Sequence, residues 1–258
     1  MNRINIEPEW SKSKEEIWDE MFEHLEERTE THQRVFLSRM PLWGYAASLL
    51  IPVLLICHFY TVSEETAKGE HLAIRLPDNS KVTMNAESKI SYQPLSWFLN
   101  RKARLEGEAY FEVKRGSRFS VQSGRNTVSV LGTAFNVNAR PGLYRVTCLE
   151  GQVEVHAGGE SAVLHANMQA ALHEPALHIY DMPPSLAVGW MQGEFVFVAT
   201  PLKEVIAEVE RQYNIRITPD EFTNHFFTGN FLKTDKPEDV LQIIGKPFGI
   251  TFGYAPSN

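Results

Sequence analysis

Nine histidines and two cysteines are the side chains of this sequence best suited to ligate a metal or to serve as base and nucleophile. Either role needs closely spaced partners, because a metal or a proton relay joins groups that lie within bonding reach of one another. Cys57 sits in an apolar run and Cys148 in a distant strand-like stretch, so the pair is neither a disulfide framework nor a zinc site. His24 and His32 lie near the N-terminus, His58 at the end of the apolar run, and His165, His173 and His178 in a strand-rich stretch. None has a tight spacing or a paired carboxylate, so they read as surface or packing residues. No GxSxG elbow, HExxH pair, GxGxxG loop or Walker sequence occurs. The expectation is a protein that is not an enzyme and holds neither cofactor nor metal.

The elements that would position any site divide the chain into contrasting parts. The 258 residues carry a formal charge of −7, from 25 basic and 32 acidic side chains, and no Lys/Arg cluster stands out, which argues against direct nucleic-acid binding. From Leu42 to Tyr60 no side chain is formally charged. At about 1.5 Å per residue this run crosses most of a hydrocarbon core of about 30 Å. Trp43 and Tyr45 at one end, and Phe59 and Tyr60 at the other, suit the two interfaces. The reading is one membrane helix over 41–62, with Pro52 as a local wedge. The long polar stretch ahead of it excludes a signal peptide. Arg28, Arg34 and Arg39 before the span, against Lys68 and Arg75 after it, favour an N-terminus inside.

Residues 1–40 then form a cytoplasmic arm. Ile17, Met21 and Leu25 recur every fourth residue, with Trp18 and Phe22 alongside, which predicts an amphipathic helix. Ser13 and Glu16 fit a capping box at its start. So short an arm cannot bury its apolar stripe in a core of its own, and its opposite face is acidic (Glu20, Glu23, Glu26, Glu27, Glu30). A protein groove therefore suits it better than an anionic lipid surface. Packing in a dimer stays open.

Beyond the span, short alternating runs such as Ala109–Val113 and Val153–Val155 are separated by turn residues, predicting an all-β sandwich or solenoid-like domain over 69–182. Pro183-Pro184 reads as a hinge. Over 190–256 the pattern becomes a βαββαβ-like module: strands at Phe195–Val198, Ile215–Ile217, Phe226–Phe231 and Phe248–Tyr254, a helix opened by Pro201, and a second capped by Asp235. The fold class is mostly β with an α+β tail and a single-pass membrane helix.

Four stretches resemble the FecR family of bacterial anti-sigma factors: Leu76–Val82 with Asn85-Ala86, Leu105–Val113, Val130–Val137 and Leu149–Val155. The tail resembles that family's C-terminal module through Trp190, Gly193, Phe195, Phe197, Pro201-Leu202, Gly229, Phe231 and Val240-Leu241. The resemblance implies a transmembrane regulator in the inner membrane, its C-terminus periplasmic. Its cytoplasmic arm would bind an extracytoplasmic-function sigma factor through Ile17, Trp18, Met21, Phe22 and Leu25. Its periplasmic part would meet the signalling domain of a TonB-dependent outer-membrane receptor. The tail is similar to the short N-terminal domain of secretins and TonB-dependent receptors, and Phe226, Phe227, Gly229 and Phe231 would form the receptor-docking strand. Some such proteins cut themselves at a Gly-Thr bond, here Gly132-Thr133, with the threonine hydroxyl attacking the Gly132 carbonyl. The arm is shorter than the family's usual cytoplasmic domain. A periplasmic carbohydrate-binding or structural envelope protein without a sigma partner is the alternative, although only Trp97 and Trp190 lie outside the arm and span as candidate sugar platforms.

Overall fold

The computed structural model describes residues 12–26, 48, 50–53, 55, 60–173, 175–219 and 225–257. The chain divides into two units, 1–56 and 57–258.

In the first unit, helix α1 spans Lys14–Glu26. Its start is a capping box: the Glu16 amide donates to Ser13 Oγ at 3.3 Å, and the Ser13 amide donates to Glu16 Oε2 at 2.9 Å. Residues 48, 50–53 and 55 are helical, and Leu50, Ile51, Val53 and Leu55 are exposed. Most of the proposed span lies outside the described residues. Among the described residues no helix is long and apolar enough to cross a membrane.

The second unit opens with thirteen strands in one continuous, folded-over sheet. They are β1 (Val62–Thr66), β2 (Leu72–Arg75), β3 (Lys81–Met84), β4 (Ser88–Tyr92), β5 (Arg101–Glu112), β6 (Phe119–Ser123), β7 (Asn126–Val130), β8 (Ala134–Arg140), β9 (Leu143–Glu150), β10 (Gln152–Ala157), β11 (Glu160–His165), β12 (Met168–His173) and β13 (Ala176–Asp181). Strand β5 belongs to both layers. Its first half pairs with β4 and, in parallel, with β6, while its second half pairs with β3 and β8. One layer therefore runs β1-β4-β5-β6-β7-β10-β11 and the other β2-β3-β5-β8-β9-β12-β13. Between them lies an apolar core that includes Phe111, Phe119, Phe135, Met84, Ile90 and Leu105, all 1% exposed or less.

The bend in β5 explains the Leu105–Val113 motif. Glu106-Gly107-Glu108 reads from sequence as a turn or bulge feeding a strand, but the strand continues through it and changes layer there. Gly107 has φ +95°, and a Cβ at this position would stand 2.7 Å from Ser88 Cα. Only glycine lets the two backbones approach so closely. Pro77–Ser80, whose Pro, Asp, Asn and Ser read from sequence as a chain reversal, turn the chain between β2 and β3: the Asn79 amide donates to the Leu76 carbonyl at 2.9 Å. Asp78 accepts from the Ser80 amide at 2.9 Å and is ion-paired with buried Arg101.

Pro184 starts a short helix, α2 (Pro184–Val188), none of whose residues is buried. The α/β module follows as β14 (Glu194–Pro201), α3 (Leu202–Tyr213), β15 (Ile215–Thr218), β16 (Phe226–Leu232), α4 (Pro237–Gly245) and β17 (Gly253–Pro256). Its order is βαββαβ. β14 pairs with β16 and β15 with β17, and Leu202, Val205, Ile206, Val209, Val240, Leu241 and Ile244 fill the core between helices and strands. Asp235 does not cap α4, whose N-cap is Lys236; instead it accepts from the Leu232 amide at 2.8 Å and closes the preceding turn.

Because Gly107 combines a positive φ with backbone contact, Gly107→Ala is expected to cost about 3 kcal/mol or more. Thermal unfolding of the variant beside the parent checks this, and an unchanged midpoint would contradict the close approach.

Candidate functional site

Four groups of residues are candidates for function. The first is the apolar face of α1. Its fourfold spacing places Ile17 and Met21 in one row, with Trp18 and Phe22 beside them. These four are 40–53% exposed, and the rings of Trp18 and Phe22 stack with centroids 5.6 Å apart. Leu25 lies in the last turn of the same helix. A preformed aromatic ridge of this kind matches the groove-binding mode of amphipathic helices.

The second group joins the β-domain to the module and was not foreseen from sequence. Glu108, just past the β5 bend, is buried and accepts from Asn85 Nδ2 at 2.9 Å and Asn136 Nδ2 at 2.8 Å. Asn85 Oδ1 accepts from Gln212 Nε2 of α3 at 2.7 Å, and the same nitrogen donates to Glu208 Oε1 at 2.8 Å. Glu208 also takes Arg211, at 2.9 Å, while Arg140 caps the loop after β3 through the carbonyls of Ala86 and Glu87. Outside this centre, the Gly69 amide donates to the Arg211 carbonyl at 2.7 Å, Lys233 Nζ donates to the Gly69 carbonyl at 2.7 Å, and Arg145 pairs with Glu204 at 2.8 Å. His71 donates from Nε2 to Gln212 Oε1 at 3.2 Å and meets Trp190 edge-on. Burial and the nearby Lys233 charge push its pKa below the usual histidine range.

The surroundings shift the two carboxylates in opposite directions. Burial would raise both, but the Arg211 and Arg140 cations overcome this at Glu208 and hold its pKa below the ordinary carboxylate value. Glu108 has weaker cationic help and feels the Glu208 charge, so desolvation wins and its pKa rises. The arrangement is a polar fastening between two cores. A cleft of about 570 Å³ opens beside it, lined by Asn136, Gln169, Tyr180, Trp190 and β14.

The third group surrounds Gly132-Thr133. Thr133 is 5% exposed and donates its hydroxyl to the Gln152 carbonyl at 3.0 Å, while its own carbonyl accepts from the Val113 amide at 3.0 Å. Among the described residues no acid or base side chain is hydrogen-bonded to that hydroxyl. Gly132 has φ +154°, and a Cβ there would lie 2.6 Å from Arg115 Cα, so the glycine has a packing reason to be present.

The proposed docking strand, β16, is split by its pleat. Phe226 is 61% exposed, but Phe227 and Phe231 are 3% exposed and belong to the module core. As side-chain contacts, Phe227 and Phe231 are therefore unavailable. The outward face instead carries Phe226 and Leu232 beside Val196 and Val198 of β14. Gly229 lies against the Phe227 ring, where a Cβ would collide at 2.6 Å. Among the described residues β14 and β16 pair only with each other, which leaves a backbone edge on each.

A folded-over β-domain fastened to a βαββαβ module, in a chain that also carries an amphipathic helix, defines a modular, mostly β protein. Residues 63–154 match the family described as FecR protein, and residues 194–254 match its C-terminal region. The chain belongs to the FecR family of anti-sigma factors. No curated protein sequence matches it. It is similar to two crystal structures of a candidate anti-sigma factor from Parabacteroides distasonis ATCC 8503. One aligns with TM-score 0.70 at 27% identity, over 77% of this chain and 100% of that one. The other aligns with TM-score 0.69 at 28% identity, over 76% of this chain and 100% of that one.

Removing one partner of a buried charge pair leaves the others uncompensated. Glu208→Ala is expected to lose about 3–5 kcal/mol of stability, measured by denaturant titration. Glu108→Gln tests the sign of the pair. Its amide can be accommodated if Asn136, whose Oδ1 has no hydrogen-bond partner, turns over. A raised carboxylate contributes stability below its ordinary value of 4.5 and loses it as pH rises through the raised value. The thermal midpoint of Glu108→Gln should therefore gain on the parent from pH 4.5 upward, and a difference that stays flat across that range would refute a raised Glu108.

Proposed function

We propose that this protein is a single-pass inner-membrane anti-sigma regulator, with α1 in the cytoplasm and the β-domain and module in the periplasm. Membership of the FecR family supports a sigma factor as the partner. The observation that carries the reading on this chain is the exposed Trp18–Phe22 ridge on a well-capped helix. Such a ridge gives an extracytoplasmic-function sigma factor a helix-in-groove ligand, with Ile17, Met21 and Leu25 extending the same stripe. The uncharged run from Leu42 to Tyr60 supports the crossing, and the basic residues ahead of it support an N-terminus inside.

On the periplasmic side, the partner is the signalling domain of a TonB-dependent outer-membrane receptor. The open edges of β14 and β16, with Phe226 and Val198 exposed beside them, suit strand addition: backbone hydrogen bonds supply affinity and the outward side chains select the partner. The chain then acts as a relay from transporter to transcription. Scission at Gly132-Thr133 is not required for this function, and the chain recovered intact from membranes over time would exclude it.

Trp18→Asp places a charge in the centre of the ridge. Membranes carrying this variant should yield at least about tenfold less co-purified sigma factor, as expected for an aromatic anchor worth 2 kcal/mol or more. Equal recovery from variant and parent would remove α1 as the binding element.

A further inference from the structure

The loop between β4 and β5 carries the most exposed large apolar side chains outside α1 and the run that follows it. Phe98 and Leu99 are each 80% exposed, and Leu95 is 44% exposed. They do not hang on a loose segment. Trp97 between them is 3% exposed and packs edge-on against Tyr92 at 5.6 Å and Phe119 at 5.8 Å. The Leu99 and Asn100 amides both donate to the Ser96 carbonyl at 3.0 Å, closing the turn. One aromatic residue therefore nails the loop to the core while its neighbours are held outward.

The register shows where this loop stands. Val62, the first residue of β1, pairs with Tyr92, the last residue before the loop. Tyr92 pairs with Ala103, and across the same end of the layer Arg101 pairs with Phe119 and Phe119 with Val130. The next residue, Leu131, is 63% exposed. The chain arriving from Tyr60 thus enters the domain on the rim that carries Leu95, Phe98, Leu99 and Leu131. The segment 114–118, which carries three basic residues, lies at the same end. Buried Arg101 donates to the carbonyls of Lys114 and Ser117, at 2.9 and 2.5 Å, which brings the exposed Lys114, Arg115 and Arg118 to the same end. Three acidic groups near this end are ion-paired, Asp78 with Arg101, Glu112 with Lys81 and Glu154 with Arg118, while Glu64 and Glu150 also stand nearby.

We propose that this rim is a lipid-binding surface: Phe98 and Leu99, with Leu131, insert into the outer leaflet of the membrane that the chain crosses, and the surrounding basic residues meet anionic headgroups. Apolar tips within a basic border are the composition of an interfacial anchor. The occupant is assigned to lipid because the chain joins the rim directly from the uncharged run ending at Tyr60, so the proposal rests on the crossing proposed above. The rim also sets orientation. At about 3.3 Å per residue, β1 leads about 13 Å from Val62 at the rim to Thr66, close to where Gly69 bonds the module. Insertion would therefore hold the receptor-docking module away from the bilayer.

The test uses the full chain, with Cys57→Ser, in vesicles of phosphatidylethanolamine and phosphatidylglycerol. An environment-sensitive fluorophore is placed at Phe98→Cys or, as a control, at Arg125→Cys in the turn at the opposite end of β6. Buried Cys148, whose thiol is pushed up to about 11, does not compete for label. Lipids carrying a nitroxide near the head of the acyl chain should quench the Phe98 site and leave the Arg125 site bright. A chain that resists carbonate extraction while its Phe98 site stays unquenched overturns the lipid-binding rim and leaves the crossing intact. A blue-shifted but unquenched signal assigns the rim to protein contact and likewise overturns it. A chain released by carbonate overturns the crossing itself, and with it the basis of the rim.

Discussion

The association of the β-domain and module cores depends on a polar cluster buried between them. Glu108 and Glu208 face a common space with Arg140 and Arg211, and the geometry is satisfied only when α3 lies against the β5 bend. Apolar surface alone would tolerate sliding, since it is non-directional. A chain of amide hydrogen bonds through Asn85 and Gln212, each about 2.7–2.9 Å long, does not. Desolvating these ions costs more than a hydrophobic contact of equal size, so the fastening favours a single arrangement over raw affinity. Such an interface is also one that a competing partner could open cooperatively, because losing one member leaves the rest unpaired.

Much of the fold was legible because its signals are local. The capping box at Ser13, the Pro77–Ser80 reversal, the alternating strands and the βαββαβ order all follow from residues within a few positions of one another. What escaped was set by distant neighbours. Glu106-Gly107-Glu108 has turn composition, and only the approach of Ser88 shows why a continuous strand needs glycine there. Asp235 has the chemistry of a helix cap, but the Leu232 amide takes its side chain.

The candidate sites divide in the same way. The α1 ridge could be read directly, because a short helix with a wide apolar stripe has nothing local to bury it. Phe227 and Phe231 could not be separated from Phe226 by type, since pleat phase decides which of them the core receives. Glu208 was hidden for the opposite reason, being a charged residue beside a core stripe. Yet one sign was available: Gln212 falls on the row of Leu202, Val205 and Val209, and it is 2% exposed. A polar residue on a buried row calls for a partner, and here that partner is the other domain.

Strand β1 connects these observations physically. Its first residue pairs with Tyr92 at the rim, and its last, Thr66, donates to the Asn85 carbonyl at 2.7 Å and accepts from the Ser88 amide at 3.0 Å. Asn85 is the residue that holds both Glu108 and Gln212. One five-residue strand thus ends in the polar fastening at one side and in the chain leading to Tyr60 at the other. Within the proposed function, a receptor domain that displaced α3 would withdraw Gln212 from Asn85 and loosen the anchorage of Thr66. A paired strand is stiff along its length, so the consequence would be felt where it begins. Within that reading the fastening, more than the docking edge itself, is where displacement of α3 would act on the chain leading to Tyr60.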